Sequence, residues 1–498
     1  MSVFTRRRSG LLLHLSSLPS FYAIGHLGRP AVDFLDFLHR SGQTLWQMLP
    51  VHPVGYGHSP YSSTSAFAGN PLFIDLEDLV QLGHLTAEDL RPFQRPTARV
   101  DYQHACRCRN TLLPRAAQRF FRQGDPDLET AYAHFCTSQA WWLNDYCLFQ
   151  ALREVFHDAP WTDWPAPLRD REETALRQWS ERLGQRILEL KYEQFVFFRQ
   201  WQRLHQQARE RGILLFGDVP FYVAHDSADL WCHRQLFRLD ETGRPTLVAG
   251  VPPDYFSKTG QRWGNPVYDW AQHHREQFSW WRARMRQALT LFDVIRLDHF
   301  RGMAACWIIP SDAPDARHGH WEPSPGDELL EALQRDLGKL PLVAEDLGVI
   351  TDDVTELRRR WRLPGMRILQ FAFDSGPDNP YLPQNHTADS VIYTGTHDNN
   401  TCRGWWQELP PSVRDAARFY LQGPEAAICQ EMVRLTLESV GIFSIVPVQD
   451  LLGLGAEARM NHPGTREGNW LWRLPADALT DRLAHDLLHL TVTSGRTG

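Results

Sequence analysis

Three acidic residues each stand at the end of a short run of β-forming residues. Asp298 ends the apolar run in LFDVIRLDHF, Glu345 ends that in LPLVAEDLG, and Asp398 follows SVIYTGTH. If these runs are parallel strands of one barrel, the three carboxyl groups meet at its carboxyl-end rim, where barrel enzymes place catalytic side chains. Such a set suits chemistry on glycosidic bonds, which needs a nucleophile, a proton donor and a group that stabilises an oxocarbenium-like transition state.

The neighbours of the first two carboxyl groups predict different protonation states. Arg296 and Asp298 are two residues apart and share one face of a strand, and a guanidinium keeps a nearby carboxylate ionised, as a nucleophile must be. This spacing is equally typical of a structural Arg–Asp pair. Glu345 has the opposite requirement, because a general acid must hold its proton through burial or a nearby negative charge. Asp346 points to the other face and is interpreted as a supporting or helix-capping residue.

The third carboxyl group lies at a strand-to-loop turn. GTHDNNT places His397 and Asp398 just after Gly395. Asp-Asn-Asn sequences also favour turns and helix caps without any catalysis, so this motif alone is ambiguous. The placement of all three motifs on the fourth, fifth and seventh β-rich runs is what favours the catalytic interpretation.

Eight β-rich runs alternate with segments of helical periodicity. They span 10–15, 44–51, 212–219, 291–297, 340–345, 366–373, 390–394 and 442–448. Alternating strand and helix patterns imply parallel strands with crossover helices, so the sequence predicts an α/β fold, a single catalytic (β/α)8 TIM barrel over 1–498. Two insertions are expected: a helical one at 75–211 between strands 2 and 3, and a loop-rich one at 224–280 after strand 3, which includes a lid loop at 250–266.

Composition excludes several classes of protein. The 498 residues carry a net charge of −7 without a basic stripe, which argues against a nucleic-acid partner. No run approaches the ~18 apolar residues of a membrane span. The 19 tryptophans fit sugar stacking, but large aromatic side chains also fill cores.

The cysteines and the N-terminal segment help to predict the cellular compartment of the protein. The eight cysteines are scattered without a framework spacing and are interpreted as reduced thiols. His104, Cys106 and Cys108 form a short cluster but lack a second ligand pair, so no metal is expected. TRRRSGLLLHLSSLPS imitates a signal peptide, yet His14 interrupts the apolar run and the segment is needed as the first strand. A cytoplasmic location is expected.

Seven segments, in this order along the chain, resemble the amylomaltases, the 4-α-glucanotransferases of glycoside hydrolase family 77, which are related to the α-amylases. The segments are GYGHSPYSSTSAFAGNP, GDVPFYV, PPDYFSKTGQRWGNP, RLDHFRG, AEDLG, GTHDNNT and RMNHPGTREGNW. The resemblance covers about residues 10–473. In one departure from the family pattern, His58 stands where an Asp is common, and it is expected to alter pH behaviour but not the chemistry.

The resemblance implies roles for individual residues. Asp298 would be the nucleophile, Glu345 the acid/base, and Asp398 the residue that grips the hydroxyls of the donor sugar. The implied glucan-binding residues are Arg296, His299, His397, Asp218 and Tyr61 at the donor sugar, Asp254 and Trp263 on a closing loop, and Tyr56, Tyr102 and Phe371 at a second stretch of glucan.

The implied reaction is retaining transglycosylation. An α-1,4-glucan segment would pass from one maltooligosaccharide to the 4-hydroxyl of another glucan or glucose, or close into a ring, through a covalent glucosyl-Asp298 intermediate. No cofactor, metal or obligate protein partner is expected. An α-glucan hydrolase would use the same three carboxyl groups, so the residues alone leave it open. A non-catalytic glucan-binding protein should have lost one of them, and a metal-dependent barrel enzyme would need a ligand cluster.

Overall fold

The computed structural model describes residues 3–253, 257–465 and 467–497, apart from the side chain of Tyr56. These residues contain twelve strands and twenty α-helices. The strands are β1 (Arg8–Leu12), β2 (Leu45–Gln47), β3 (Leu214–Val219), β4 (Leu247–Val251), β5 (Gln261–Pro266), β6 (Val294–Leu297), β7 (Ala305–Pro310), β8 (His320–Pro323), β9 (Leu342–Ala344), β10 (Gly365–Ile368), β11 (Ser390–Tyr393) and β12 (Phe443–Pro447). The helices are α1 (Arg29–Arg40), α2 (Leu76–Gln81), α3 (Ala87–Leu90), α4 (Tyr102–Gln123), α5 (Pro126–Ser138), α6 (Ala140–Val155), α7 (Ala166–Arg169), α8 (Glu173–Arg182), α9 (Gly184–Glu210), α10 (Ala228–Cys232), α11 (Trp270–Arg275), α12 (Ser279–Leu291), α13 (Arg301–Ala304), α14 (Gly326–Leu337), α15 (Asp352–Arg360), α16 (Cys402–Glu408), α17 (Pro411–Arg418), α18 (Ile428–Glu438), α19 (Val448–Leu451) and α20 (Asp481–Thr493).

Eight parallel strands form the barrel, in the order β10-β11-β12-β1-β2-β3-β6-β9. The seam between β9 and β10 is closed by a backbone hydrogen bond of 2.8 Å from the Ala344 N–H to the Pro364 carbonyl. Each of the eight predicted β-rich runs overlaps one of these strands, so the predicted (β/α)8 barrel is confirmed. Two of the predicted runs extend past the ends of their strands, because Leu15–Ser17 and Leu369–Phe371 form 3-10 turns that leave the barrel wall.

The first and last barrel strands are neighbours. β1 pairs with β12 in parallel register from Arg8–Phe443 to Leu12–Pro447. Arg496 lies just after α20, fully buried, and fastens this junction: its guanidinium donates to the Arg8 carbonyl at 2.9 Å and to the Gly441 carbonyl at 3.0 Å. Residues far apart in sequence therefore complete the barrel wall.

Helices fill the predicted insertion at 75–211. α4 begins where the Asp101 side chain accepts a hydrogen bond from the His104 N–H and ends at Gly124 in the left-handed conformation (φ +66°), an N-cap and a C-cap of the usual kinds. α9, 27 residues long, joins the insertion to the barrel. Its Trp201 is fully buried and donates from Nε1 to the Leu291 carbonyl at 2.9 Å, and burial of such a side chain contributes about 3 kcal/mol. This contact joins α9 to the end of α12, the helix that precedes barrel strand β6.

A second, antiparallel sheet has the strand order β5-β4-β7-β8. β4 and β5 lie in the 224–280 segment, which was expected to be loop-rich, whereas β7 and β8 come after barrel strand β6. The sheet therefore reaches beyond that segment, and it carries Trp263 on β5 beside the rim of the barrel. Among the described helices, none combines the length and apolar character that a bilayer crossing requires.

Candidate active site

Arg296 joins two carboxyl groups at the base of the rim. β3 and β6 run side by side with Asp218 opposite Arg296 in register, so the two side chains emerge together. Arg296 Nη1 donates to both oxygens of Asp218, at 2.9 and 2.8 Å, and lies 2.8 Å from Asp298 Oδ1. Burial raises the pKa of Asp218, and the Arg296 guanidinium opposes that rise. Tyr61 adds a hydrogen bond from Oη to Asp218 Oδ2 at 2.8 Å.

Glu345 lies beside this pair, just after β9. Its Oε2 accepts a hydrogen bond of 2.7 Å from the backbone N–H of His299, and its Oε1 accepts one of 3.2 Å from the N–H of Leu347. His299 has a left-handed backbone (φ +51°), a sharp turn that aims this amide at the carboxyl group. Burial raises the pKa of Glu345 to about 8; the Arg296 guanidinium lowers it, and the Asp298 carboxylate raises it. The group therefore holds its proton at neutral pH, as a general acid must.

Asp398 lies on the loop that follows β11 and is held by another loop. Its Oδ1 accepts a hydrogen bond of 2.6 Å from Asn461 Nδ2 and lies 3.4 Å from His397 Nε2. Its backbone carbonyl accepts one of 2.7 Å from the guanidinium of Arg459. The Asp398 side chain is 44% exposed, against 28% for Asp298, so it presents one open edge to a ligand.

Aromatic rings line the same region. Tyr61 stacks on His397 with a centroid separation of 5.2 Å and an interplanar angle of 16°, and Trp470 lies 6.0 Å from each ring. Trp263 meets His299 edge to face at 4.7 Å. Burial lowers the pKa of His397 and lowers that of His299 to about 4, so both imidazoles are neutral near pH 7. Neutral rings beside carboxyl groups suit hydrogen bonding and stacking with sugars.

An open cleft of about 1210 Å³ runs along this side of the barrel. Asp298, His299, Tyr61 and Trp263 line one part of it, and the cleft continues into the helical insertion as far as Arg153. Its volume exceeds that of a typical small-ligand pocket, which fits an extended ligand.

Four predicted glucan-binding residues are not placed in this group by the described residues. Asp254 and the side chain of Tyr56 lie outside the described residues. Tyr102 is buried, with its ring stacked on His58 at 4.2 Å and 5° and its hydroxyl 3.3 Å from the Trp470 carbonyl. Phe371 lies on the 3-10 turn after β10, edge-on to Tyr381 at 5.6 Å. The second stretch of glucan, with Tyr102 and Phe371, therefore stays a prediction.

Reasoning from local sequence assigned no role to Asn461, Arg459 or Trp470. All three fall in or beside RMNHPGTREGNW, a segment that carried the resemblance. Asn461 is 63 residues from its partner Asp398, so no local spacing could have linked the two. Within the described ranges, no group of three or more His, Cys, Asp and Glu side chains is arranged to hold a metal ion.

The fold and the site together define a class of enzyme. Asp298 and Glu345 directly follow neighbouring strands, the first paired with a guanidinium and the second buried with a raised pKa, while Asp398 faces the same rim. This is the carboxyl arrangement with which barrel enzymes act on glycosidic bonds.

Comparisons with known proteins narrow this class to one family. Residues 13–480 match the glycoside hydrolase family 77 model, described as 4-alpha-glucanotransferase. A 4-alpha-glucanotransferase of Thermus thermophilus is 48% identical over 476 residues, which cover 94% of this chain and 95% of that protein. One of Synechocystis sp. is 45% identical over 502 residues, covering 99% and 98%. The solved structure of an amylomaltase from Streptococcus agalactiae in complex with acarbose superposes with a TM-score of 0.96 at 35% identity, and the match covers 99% of this chain and 100% of that one.

The chain belongs to the 4-alpha-glucanotransferases of glycoside hydrolase family 77, the amylomaltases. The predicted family and enzyme class are confirmed. The enzyme acts on α-glucans and transfers glucan segments from one chain to another.

Proposed function

We propose that Asp298 is the nucleophile, Glu345 the general acid and base, and Asp398 the group that holds the hydroxyls of the donor sugar. This assignment rests on the different surroundings of Asp298 and Glu345 at the base of the rim. Arg296 lies 2.8 Å from the Asp298 carboxylate, whereas burial raises the pKa of neighbouring Glu345 to about 8. One carboxyl group is paired with a guanidinium and the other is buried with a raised pKa, and a double displacement needs two carboxyl groups in such different surroundings.

In the first displacement, Glu345 transfers its proton to the glycosidic oxygen while a carboxylate oxygen of Asp298 attacks the anomeric carbon. The bond between that carbon and the glycosidic oxygen breaks, and the released chain leaves with a free 4-hydroxyl. An ester now links the donor glucose to Asp298. Oε1 of Glu345 accepts the longer of its two amide hydrogen bonds, 3.2 Å, so we assign the transferred proton to that oxygen.

In the second displacement, the ionised Glu345 takes the proton of an acceptor 4-hydroxyl. The acceptor oxygen attacks the same anomeric carbon, the ester breaks, and Asp298 is restored as a carboxylate. Two inversions preserve the α configuration. The acceptor must compete with water for the ester. Trp263, which lies on β5 within the predicted lid at 250–266 and is edge-on to His299 at 4.7 Å, is the side chain to which we assign the covering of that ester.

Asp398 would accept hydrogen bonds from two hydroxyls of the donor ring as the ring flattens. Asn461 and His397 orient its Oδ1, and the Tyr61 ring offers a stacking surface next to it. Asp254, on the closing loop, and Tyr56, Tyr102 and Phe371, at a second stretch of glucan, remain predictions. The His58 ring would have to move away from the Tyr102 ring before Tyr102 could stack on a sugar.

All eight cysteines carry free thiols, and five of them are buried. This supports the proposal that the enzyme works in a reducing compartment.

Transfer and hydrolysis can be separated with maltotriose as the only substrate. Transfer breaks one α-1,4 bond and makes another, so we expect glucose and a ladder of longer oligosaccharides with a nearly constant number of reducing ends. Chromatography and a reducing-end assay would measure the two quantities, with the Glu345→Gln variant as the inactive control. If reducing ends rise in step with the loss of maltotriose and no longer product forms, the enzyme is a hydrolase and the proposal is wrong.

A further inference from the structure

The loop that carries Asp398 is joined at both ends to one buried carboxyl group. Asp450 lies on α19, the short helix that follows β12, and is 2% exposed. Its Oδ2 accepts a hydrogen bond of 2.6 Å from the Thr394 hydroxyl, one residue past β11. Its Oδ1 accepts one of 2.7 Å from the Cys402 N–H at the start of α16. The Asp450 carboxyl group therefore closes the loop 394–402 at its base, and Asp398 stands midway along that loop.

A small cavity lies between this loop and the barrel. It has a volume of about 20 Å³ and is lined both by loop residues, such as Thr396 and Asn399, and by His14 beside β1. A space of that size holds about one water molecule. Side-chain packing therefore does not fill the gap under the loop, and hydrogen bonds must hold the loop in place.

Hydrogen bonds within the loop make it a compact unit. Asn399 Oδ1 accepts from both the N–H and the hydroxyl of Thr396, at 2.9 and 2.8 Å. The Thr396 hydroxyl in turn accepts a hydrogen bond of 3.3 Å from the Asp398 N–H. From outside the loop, Gln370 Nε2 donates to the Asn400 carbonyl at 2.8 Å. Because these bonds tie Asp398 to its neighbours, a shift at the base of the loop would move Asp398 with it.

Asp450 is buried without a cationic partner. Among the residues that the structure describes, no Arg, Lys or His side chain is paired with its carboxyl group. Arg459, which lines the same small cavity, donates instead to the carbonyls of Asp398 and Asn461. Burial raises the pKa of Asp450, and its hydrogen bonds oppose that rise. Burying a carboxyl group is costly unless it is well bonded, and the bonds that offset the cost here go to the two ends of the Asp398 loop.

We propose that Asp450 is a positioning residue for the transfer reaction: by joining the Thr394 hydroxyl to the Cys402 N–H, it fixes the loop that presents Asp398 to the donor sugar. This inference rests on the proposed function, because it gives Asp398 the task of holding the sugar hydroxyls. Asn461 orients the carboxylate of Asp398, whereas Asp450 sets the position of the loop itself. Asp450 lies beneath the loop and acts only through it.

Thr394→Val tests this contact with little change of side-chain shape. It removes the hydroxyl that donates to Asp450, and we expect kcat on maltotriose to fall about fivefold, the value of one hydrogen bond. Thr394→Ser keeps a hydroxyl and should restore most of the rate. The matched control is Thr436→Val, which removes an equally buried hydroxyl that donates to the Met432 carbonyl in α18. This control should lower Tm but leave kcat unchanged.

A double-mutant cycle with Asp398→Ala separates positioning from a merely structural role. Once the Asp398 carboxylate is gone, the position of its loop matters little, so adding Thr394→Val should lower kcat by less than about twofold more. The loss in Tm caused by Thr394→Val should be the same with and without Asp398→Ala. A residue that only stabilised the fold would lower kcat by the same factor in both proteins.

Two substitutions of Asp450 complete the test. Asp450→Asn can keep both bonds, because its carbonyl oxygen accepts from the Cys402 N–H and its amide donates to the Thr394 hydroxyl, so its kcat should stay within about twofold of wild type. Asp450→Ala breaks both bonds and should lower kcat at least as much as Thr394→Val; if it does not fold, the Thr394 variants decide.

Three results would overturn the proposal: wild-type kcat in Thr394→Val, an equal loss from Thr394→Val in the wild-type and Asp398→Ala proteins, or a loss in Asp450→Asn as large as that in Thr394→Val. Failure of the proposed function looks different, because Asp398→Ala by itself would then turn over maltotriose like the wild-type enzyme.

Discussion

The base and the outer edge of the active site are built in different ways. At the base, Asp218, Arg296 and Glu345 project directly from the ends of β3, β6 and β9, and strand register decides their spacing. At the edge, Asp398 lies on a loop and owes its position to a second loop, through Asn461 and Arg459. In the proposed mechanism, the ends of rigid strands hold the groups that make and break bonds, and loops hold the groups that grip the sugar. Changes at the base should therefore abolish chemistry, and changes at the edge should weaken it.

The largest effect is expected at the nucleophile. Asp298→Asn should lower kcat on maltotriose by about 10⁴-fold or more, because no covalent intermediate can form. The variant should also fail to form a sugar adduct with α-glucosyl fluoride, measured by intact mass. Asp312→Asn, which changes an exposed acidic residue after β7, is the control and should act like wild type. Near-normal turnover by Asp298→Asn would show that Asp298 is not the nucleophile.

Glu345→Gln should lower kcat on maltotriose by about 10³-fold, because an amide cannot protonate the leaving oxygen. α-Glucosyl fluoride needs little protonation, so this variant should still load, and mass spectrometry of tryptic peptides should place the sugar on the peptide 297–301. An adduct on Asp398 instead would make Asp398 the nucleophile and Asp298 the residue that holds the sugar hydroxyls.

A change at the edge of the site should lower kcat less. Asn461→Ala removes the 2.6 Å hydrogen bond to Asp398 and should lower kcat on maltotriose about tenfold, equivalent to about 1.4 kcal/mol. Asn461→Asp should be worse, since it places a second carboxylate beside Asp398. A loss with Asn461→Ala as large as that with Glu345→Gln would mean that the loop orients a reacting group.

The last effect concerns stability and not rate, and it sharpens the contrast between the regions. The folded protein raises the pKa of Glu345 from 4.5 to about 8, so between these values the native state holds a proton that the unfolded chain has lost. Stability therefore falls as pH rises through this window. Glu345→Gln has no such group, so its Tm relative to wild type should increase from pH 4.5 to pH 8 and level off above. A constant difference in Tm across this range would contradict the raised pKa.

Much of the barrel was predictable because strand positions are encoded locally. Apolar, β-branched runs such as FDVIRL and SVIY mark strands buried on both faces, and parallel strands bring their carboxyl ends to one rim. This sufficed to place Asp298, Glu345 and Asp398 on one rim. The predicted ends of the strands were less accurate, because the turn at Leu369–Phe371 has the same apolar composition as the strand before it.

Contacts between distant loops were not predictable. Nothing in GYGHSPY shows that His58 will lie flat against Tyr102, 44 positions away in the chain, and so cover a ring expected to meet glucan. The antiparallel sheet was missed for a similar reason: β4 finds its partner β7 only across the barrel strand β6. Such pairings depend on the assembled barrel and leave no periodic signal in the sequence.

The junction of β1 with β12 has a consequence for the order in which a ribosome makes this enzyme. β1 leaves the ribosome first and can pair with β2 early, but its other edge waits for Phe443–Pro447 and for the Arg496 clamp. At the usual rates of translation that interval is roughly 20 to 90 s. Throughout it, one edge of β1 carries unpaired backbone groups, open to pairing with a neighbouring nascent chain. The barrel can close, and catalysis can begin, only after β12 and Arg496 have been synthesised.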